Sequence, residues 1–337
     1  MRKNKSADRL SLPVMILLFV LPLLAVFVSL FFGRYHVSLQ EVFLSFVRPQ
    51  SVPLASRVAV LQLRLPRAVA AAFAGASLAV SGAAFQSVFR NPLVNSGILG
   101  VSNGAGFGAC VAIIFFGGGV FTYFFSFVFA VAAVLLSYFA GRISRVTTSI
   151  TMVLGGTIVG AFFNALVSIM KYVADPYSQL PSITFWFMGS FASVGYTHLY
   201  ALIPMGFGMI LVFLSRWKLN VLSMGEKEAA SLGVDVRKAQ ILIIGGATLC
   251  TAAAVCISGT IGWVGLVIPH IGRMIAGNSN QKLIPVSISL GAGFMVVMDL
   301  LSRTLTGSEI PIGILCALIG TPFFVYLLKK SKGGFRL

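Results

Sequence analysis

Charged residues are scarce in this sequence, and acidic residues are the scarcest of all. Only 10% of the 337 residues are charged, and aspartate and glutamate together number 8. Hydrophobic residues make up 58%, which is well above the share found in soluble domains. The composition therefore excludes an ordinary soluble domain and indicates an integral membrane protein.

Motifs that mark nucleotide-binding and metal-dependent enzymes are also missing. The sequence contains no G-x-x-x-x-G-K-[ST] phosphate-binding loop, no H-E-x-x-H pair and no C-x-x-C pair. Its four cysteines lie inside apolar segments without paired spacing, which favours small core residues over disulfides or metal ligands. We therefore expect this chain to contain no catalytic residue, no metal site and no cofactor of its own.

The basic residues, which give a formal net charge of +17, lie at the ends of apolar segments. A nucleic-acid-binding protein would carry them in a stripe with interleaved aromatic residues, so no nucleic-acid partner is expected. The apolar segments hold roughly the 20 residues that a helix needs to cross a bilayer. Divided at glycine clusters and polar turns, they predict ten spans, at about 10–32, 67–89, 97–116, 120–140, 147–171, 196–215, 239–258, 262–276, 283–303 and 310–328.

Ten spans place both termini on the same side of the membrane. With that side in the cytoplasm, 18 of the 25 lysine and arginine residues lie inside, as the positive-inside rule requires. The prediction is one transmembrane domain over 1–337, with cytoplasmic tails at 1–9 and 329–337 and a cytoplasmic loop at 216–238. The basic residues left outside are Arg34, Arg48, Arg57, Arg64, Arg67, Lys171 and Arg303.

The cytoplasmic loop contains a compact stretch of mixed charge, MGEKEAASLGVDVRK at 224–238. Ser223 with Glu226 fits the S-x-x-E capping box of a helix start, and Gly233 fits a helix C-terminus, so a short helix is predicted at about 224–232. Asp235 would cap the helix that follows. The segment is either a solvated connector or a docking site, and we favour docking because a connector needs no capped helix.

The predicted spans hold almost no ionisable residues. Proton- and sodium-coupled transporters usually bind their coupling ion at such residues within the bilayer. Asp299, near an outer end, is explained by pairing with Arg303 one helical turn away. The chain therefore lacks an energy source of its own and is expected to have a partner that supplies one. An ion-coupled secondary transporter or channel, and a membrane anchor, remain the alternatives from other classes.

Four long motifs, in order along the chain, resemble the FecCD-like permease family of ABC importers, which carry iron-siderophores, haem or cobalamin. They are LQLRLPRAVAAAFAGASLAVSGAAFQSVFRNPLVNSGILGVSNGAGFGA at 61–109, MGEKEAASLGVDV at 224–236, SGTIGWVGLVIPHIGRMIAG at 258–277 and EIPIGILCALIGTPFF at 309–324. The resemblance implies an all-α bundle of about ten transmembrane helices per subunit, like the cobalamin-importer permease, with both termini cytoplasmic.

The resemblance also implies partners. A second permease subunit, the same or homologous, completes the transport unit in the lipid bilayer. Two cytoplasmic ATPase subunits bind ATP and Mg²⁺ below it, and an extracytoplasmic substrate-binding protein docks above. The expected location is the bacterial inner, or cytoplasmic, membrane.

Three sets of residues match positions to which the family assigns roles. The coupling loop, which lies in a groove of the ATPase, is expected to comprise Met224, Gly225, Glu226, Glu228, Ala229, Leu232, Gly233 and Asp235. Arg64, Arg67 and Arg303 match arginines that receive acidic residues of the binding protein, although snorkelling to outer headgroups is the alternative. Thr148 and Ser149 match the cytoplasmic gate, although they could simply cap a helix.

The function implied is ATP-driven import of a bulky metal chelate, foremost a ferric siderophore, by alternating access along the subunit interface. Haem or cobalamin import is the alternative within the class. The chain itself would be a transport subunit and not an enzyme, because ATP hydrolysis belongs to the partner.

Overall fold

The computed structural model describes residues 12–141 and 149–330, and within these ranges every regular element is a helix. The α-helices are α1 (Leu12–Ser29), α2 (Leu39–Val47), α3 (Leu54–Arg57), α4 (Leu65–Val88), α5 (Val101–Phe116), α6 (Val120–Gly141), α7 (Ser149–Val173), α8 (Gln179–Met188), α9 (Leu202–Leu214), α10 (Arg216–Met224), α11 (Glu226–Ser231), α12 (Val236–Ser258), α13 (Val264–Ala276), α14 (Asn280–Thr304) and α15 (Ile312–Lys330). A π-helix, Val58–Arg64, joins α3 to α4, and 3-10 helices lie at Pro49–Ser51 and Tyr196–Ala201. The predicted all-α class is confirmed.

Each of the ten predicted spans has a helix at its predicted place. Among the described residues, six helical stretches are long and apolar enough to cross a membrane: Leu54–Val88, Val120–Gly141, Thr151–Val173, Tyr196–Leu214, Val236–Ser258 and Asn280–Thr304. Shorter apolar helices lie at Ile16–Ser29, Val101–Phe116, Val264–Ala276 and Ile312–Tyr326. Ten crossings and the cytoplasmic side of the termini remain predictions. The predicted tail at 1–9 and residues 331–337 of the other tail lie outside the described residues.

The centre of the bundle is formed by α4, α12 and α14. Both α4 and α12 are buried along most of their length, whereas α6, α7 and α9 expose most of theirs. Alanine, glycine and serine dominate α4, and side chains this small let helix backbones approach closely inside a membrane. A Cβ added to Gly75 would collide with the carbonyl of Gly291 in α14, and one added to Gly82 would collide with that of Gly265 in α13.

Two ends of the bundle matter for function. At one end, the residues between α1 and α4 form a separate apolar cluster that includes Val42 of α2 and Val60 of the π-helix. At the other end, α10 lies against α14, where the side-chain carbonyl of Asn220 accepts from the Asn280 amide at 2.6 Å. We call the first the α2 end and the second the α11 end.

The contact between α4 and α14 supports a stability prediction. Replacing Gly75 with alanine forces the two backbones apart, because the added Cβ meets backbone atoms of α14 that cannot rotate away. We expect a loss of about 1–3 kcal/mol, the usual cost of overpacking a core, visible as a lower melting temperature of the purified protein.

Gly245→Ala is the matched control, since a Cβ at that position in α12 meets nothing within 4 Å. Alanine also has the higher helix propensity, by about 1 kcal/mol, so this variant should be unchanged or slightly more stable. Equal melting temperatures for the two variants would contradict the close packing of α4 on α14.

Candidate functional site

The predicted coupling loop forms a short helix that is joined firmly to α12. Ala229 of α11 is fully buried, and Oε1 of Glu226 accepts from Nε2 of Gln240 in α12 at 3.0 Å. Asp235 caps α12 as predicted, since its carboxylate accepts from the Lys238 amide at 3.0 Å. Gly233, with φ 79°, follows the end of α11, where helices commonly end on a left-handed glycine. A movement of α11 is therefore also a movement of α12.

The predicted capping box is wrong. Ser223 lies in the last turn of α10, a helix that the sequence did not predict, and its hydroxyl donates to the Asn220 carbonyl at 2.7 Å. The N-cap residue, directly before α11, is Gly225, at φ 141°, with Oε2 of Glu228 folded against it. Two consecutive helices, and not one preceded by a free loop, therefore form this part of the α11 end.

The coupling-loop residues divide into an inner and an outer set. Gly225 and Ala229 are buried, and Glu226 is half-buried against Gln240. The side chains that project outward include two large apolar ones at opposite ends of α11, Met224 and Leu232. Exposed apolar side chains next to charged ones are typical of a protein interface, with an apolar centre and a polar rim.

At the α2 end, a buried cluster of charges joins four parts of the chain. Arg67 of α4 donates through Nε to Oδ1 of Asp299 at 2.8 Å, and through both terminal nitrogens to the two carboxylate oxygens of Glu309 at 2.9 Å. Nε of Arg303 lies 3.6 Å from Oδ2 of Asp299, and its Nη2 donates to the Ser29 carbonyl at 2.6 Å. Two positive and two negative side chains thus tie α1, α4, α14 and the segment before α15 together.

Arg64 has a different set of partners. Its guanidinium donates to the carbonyls of Leu30, at 2.7 Å, of Phe31, at 3.2 Å, and of Tyr35. These carbonyls follow α1, so they lack helical partners, and Arg64 satisfies them. The π-helix that ends at Arg64 positions the side chain, as π-helical turns often do at functional sites.

The three arginines predicted to receive the binding protein are therefore engaged within the subunit. Arg64, Arg67 and Arg303 are only 5%, 8% and 6% exposed. Their docking role stays a prediction, and a binding-protein carboxylate could reach Arg67 only by displacing Glu309. Sequence analysis missed Glu309 and explained Asp299 by Arg303 alone, because the main partner, Arg67, is distant along the chain.

Glu309 lies between α14 and α15, and a quarter of its side chain is exposed. Burial alone would raise the pKa of its carboxyl, but the hydrogen bonds and charge of Arg67, with Arg34 and Arg303 nearby, hold that pKa below its ordinary value. Glu309 is therefore ionised at neutral pH. Its ionised form matches the bidentate donor pair of Arg67.

Three helix ends meet in a junction between the end of α8, the end of α12 and the start of α15. The Ser190 amide donates to the Ser258 carbonyl at 2.8 Å, the Thr260 hydroxyl to the Phe187 carbonyl at 2.5 Å, and the Ile312 amide to the Gly189 carbonyl at 2.9 Å. Glycine is required here, since a Cβ on Gly259 or Gly313 would collide with carbonyls of α8. The junction satisfies backbone groups that interrupted helices would otherwise leave unpaired in a bilayer.

The exposed face of α7 carries polar side chains. Thr157, Asn164 and Ser168 are exposed and spaced seven and four residues apart, so they lie on one face of the helix. The predicted gate lies at the start of the same helix. Thr148 is outside the described residues and Ser149 opens α7, so the gate stays a prediction.

Comparison with known proteins decides the class. The model of the FecCD transport family matches residues 19–330. The chain belongs to this family. It is therefore a permease of the ABC importer class, which is a transport subunit.

Individual permeases are similar to this chain in sequence over most of their length. The chain is 40% identical to the molybdate import permease MolB of Haemophilus influenzae, over 94% of this chain and 96% of that protein. It is 33% identical to the vitamin B12 import permease BtuC of Klebsiella pneumoniae, with 81% and 82% covered. A solved inward-facing structure of a metal-chelate type ABC transporter matches with a TM-score of 0.84 and 38% identity, covering 94% of this chain and 99% of that one.

The charge cluster supports a second stability prediction. Asp299→Asn leaves the buried guanidiniums of Arg67 and Arg303 without the negative charge between them. Removing one partner of a buried ion pair costs about 3–5 kcal/mol, so we expect a clear fall in melting temperature.

Asp175→Asn is the control, because Asp175 is an exposed carboxylate at the same end that accepts from the amides of Tyr177 and Ser178. An asparagine can accept the same bonds, so the cost should stay below about 1 kcal/mol. If Asp299→Asn were as stable as Asp175→Asn, the cluster would not hold the helices together.

Proposed function

We propose that this chain is the membrane subunit through which an ABC importer carries a metal chelate, foremost a ferric siderophore, across the bacterial cytoplasmic membrane. Two copies, or this chain and a homologous permease, would form the transport unit. The cargo would pass along their interface by alternating access, with the α11 end in the cytoplasm. Haem and cobalamin are the alternative chelates.

The observation that carries the proposal is the uncharged polar face of α7. An amide such as that of Asn164, exposed on a membrane helix, is costly against lipid and therefore favours a face that lines a water-containing pathway or contacts another subunit. Hydroxyl and amide groups can bond a cargo transiently without holding it as an opposite charge would. This face suits a bulky chelate whose metal is already coordinated.

Molybdate is the second candidate cargo, because the relative that is 40% identical over 94% of this chain is named a molybdate import permease. The same hydroxyl and amide groups could donate to the oxygens of an oxyanion. A ferric siderophore and molybdate differ greatly in size, and direct uptake measurements distinguish them as cargoes.

The experiment is reconstitution of the permease with its ATPase and binding protein in liposomes, followed by uptake of ferric siderophores, haem, cobalamin and molybdate. ATP-dependent accumulation of a ferric siderophore would support the proposal, and accumulation of molybdate alone would support the second candidate. Accumulation driven by a proton or sodium gradient without ATP would contradict both.

We further infer that the two ATPase subunits dock on the exposed face around α11. Met224 and Leu232 project there, so Met224→Asp or Leu232→Asp should weaken ATPase association and reduce ATP-dependent uptake at least tenfold without lowering the melting temperature. Pull-down of the ATPase and vesicle uptake measure the two effects.

Tyr177→Asp is the control, because Tyr177 is also an exposed large side chain but lies at the α2 end. It should leave ATPase association unchanged. Normal association of both α11-end variants would refute this docking face.

Force from the ATPases would reach the pathway through α12. Because α11 is bonded to the start of α12, the end of α12 to the end of α8, and the end of α8 in turn to the start of α15, α12 acts as a lever about 33 Å long. Closure of the ATPases at one end would then reposition α8 and α15 at the other.

Thr260 tests this lever. Thr260→Val keeps the shape of the side chain but removes its hydrogen bond to the Phe187 carbonyl. We expect ATP hydrolysis to continue while the amount of cargo moved per ATP falls several-fold, because only the bond from the Ser190 amide to the Ser258 carbonyl then joins the end of α8 to α12. Uptake and ATP hydrolysis are measured on the same vesicles.

Thr260→Ser retains the hydroxyl and should restore the coupling ratio. If Thr260→Val moved as much cargo per ATP as the native protein, the junction would not transmit the movement.

A further inference from the structure

The helix α2 turns its apolar face outward, which is the reverse of a surface helix in water. Its apolar residues Leu39, Phe43, Phe46 and Val47 are between 50% and 74% exposed. Of its polar residues, Gln40 is exposed, whereas Glu41 and Ser45 are turned toward the protein: Ser45 is buried, and Oε1 of Glu41 accepts from the Ser56 hydroxyl at 3.2 Å. We call the first four residues the α2 apolar face.

A surface helix in water turns its apolar stripe inward and its polar residues outward. The local fold fixes the opposite arrangement here. Ser38 and Glu41 form a complete capping box at the start of α2, and Val42 is buried in the apolar cluster between α1 and α4. The α2 apolar face is therefore held outward by the fold and is not a loosely attached segment.

The surroundings of α2 indicate what covers this face. α2 follows α1 after nine residues, and Arg64 holds the carbonyls of that connector. α1 itself exposes large apolar residues such as Phe19, Leu23 and Phe27, as a helix in contact with lipid does. The exposed apolar residues of α1 and of α2 thus flank a fixed connector, which itself exposes Phe32 and Tyr35.

Basic residues border the same helix. Arg48 directly follows α2 and is exposed, and in the described part of the chain its guanidinium has no hydrogen bond or ion pair. Arg57 lies close by, with Nη1 donating to the Pro49 carbonyl at 3.4 Å. Large apolar side chains beside arginines are the composition of helices that lie in the membrane surface, with the cations at the level of lipid phosphates.

We propose that α2 is an interfacial anchor, which lies in the plane of the membrane at the α2 end and inserts its apolar face between lipid headgroups. Arg48 and Arg57 contact the phosphates of the same leaflet. The anchor fixes the depth of the connector that Arg64 holds. This inference requires only that the chain spans a membrane, and it stands whichever cargo is carried.

The test places nitroxide spin labels on single cysteines introduced at Phe43, Phe46 and Ser51 in the assembled importer. Cys110, Cys250, Cys256 and Cys316 are all buried, so labelling of this subunit is confined to the introduced site, and the partner subunits are used in cysteine-free form. The importer is reconstituted in vesicles of phosphatidylethanolamine and phosphatidylglycerol. Collision rates with oxygen, which concentrates in lipid, and with a water-soluble nickel chelate are then compared.

We expect labels at Phe43 and Phe46 to collide several-fold more with oxygen than with nickel, and the label at Ser51, in the exposed turn after α2, to show the reverse. Nickel accessibility at all three positions would overturn the proposal. Low accessibility to both reagents would mean that protein covers the face: a second permease copy if the protection is permanent, and the binding protein if it appears only when that protein is added.

A paired variant tests insertion separately from labelling. Phe43→Glu with Phe46→Glu should make a label at Leu39 accessible to nickel, because two carboxylates oppose insertion. Gln40→Glu adds a charge to the same helix beside the apolar face and should leave the label at Leu39 in lipid. An equal response of the two variants would exclude insertion of this face.

Discussion

Inside a bilayer no water is present to satisfy polar groups, and this constraint governs the whole structure. Where helices are interrupted, their free backbone groups bond to one another, as at the junction of α8, α12 and α15. Asp299 and Glu309 are matched in the bundle by Arg67 and Arg303, and the buried guanidinium of Arg64 bonds to backbone carbonyls. Where backbones cross, glycine removes the side chain that would separate them. Bonded backbone groups, paired charges and glycine contacts together hold the centre of the molecule.

Two exposed helix faces are not explained by packing within the subunit, and they therefore indicate what lies around it. Thr157, Asn164 and Ser168 are polar on the outside of α7, and Leu39, Phe43 and Phe46 are apolar on the outside of α2. Neither pattern is needed to hold the subunit together. We propose that the first face lines the pathway and that the second lies against lipid. The FecCD transport family supplies the setting in which both make sense.

The sequence predicts local features well where one short-range rule acts alone. Asp235 caps α12 as expected, and each predicted span contains a helix, because hydropathy and capping depend on neighbouring residues. Ser223 was misread because a serine in the last turn of an unpredicted helix has the same spacing as a cap. Glu309 was missed because its partner Arg67 is 242 residues away, and no local pattern records such a distance. The docking role of Arg64, Arg67 and Arg303 stays a prediction, because all three side chains are buried and bonded within the subunit.

The charges of the buried cluster, Arg67 and Arg303 against Asp299 and Glu309, balance, and this balance has a consequence for cargo selectivity. Two guanidiniums and two carboxylates sum to zero, so the cluster acts on a distant molecule only as a multipole, whose field falls off faster than that of a net charge. A cationic, a neutral and an anionic cargo therefore meet little difference in potential from this cluster at the mouth of the permease. A charge-balanced cluster is consistent with a scaffold shared by relatives named for cobalamin and for molybdate import.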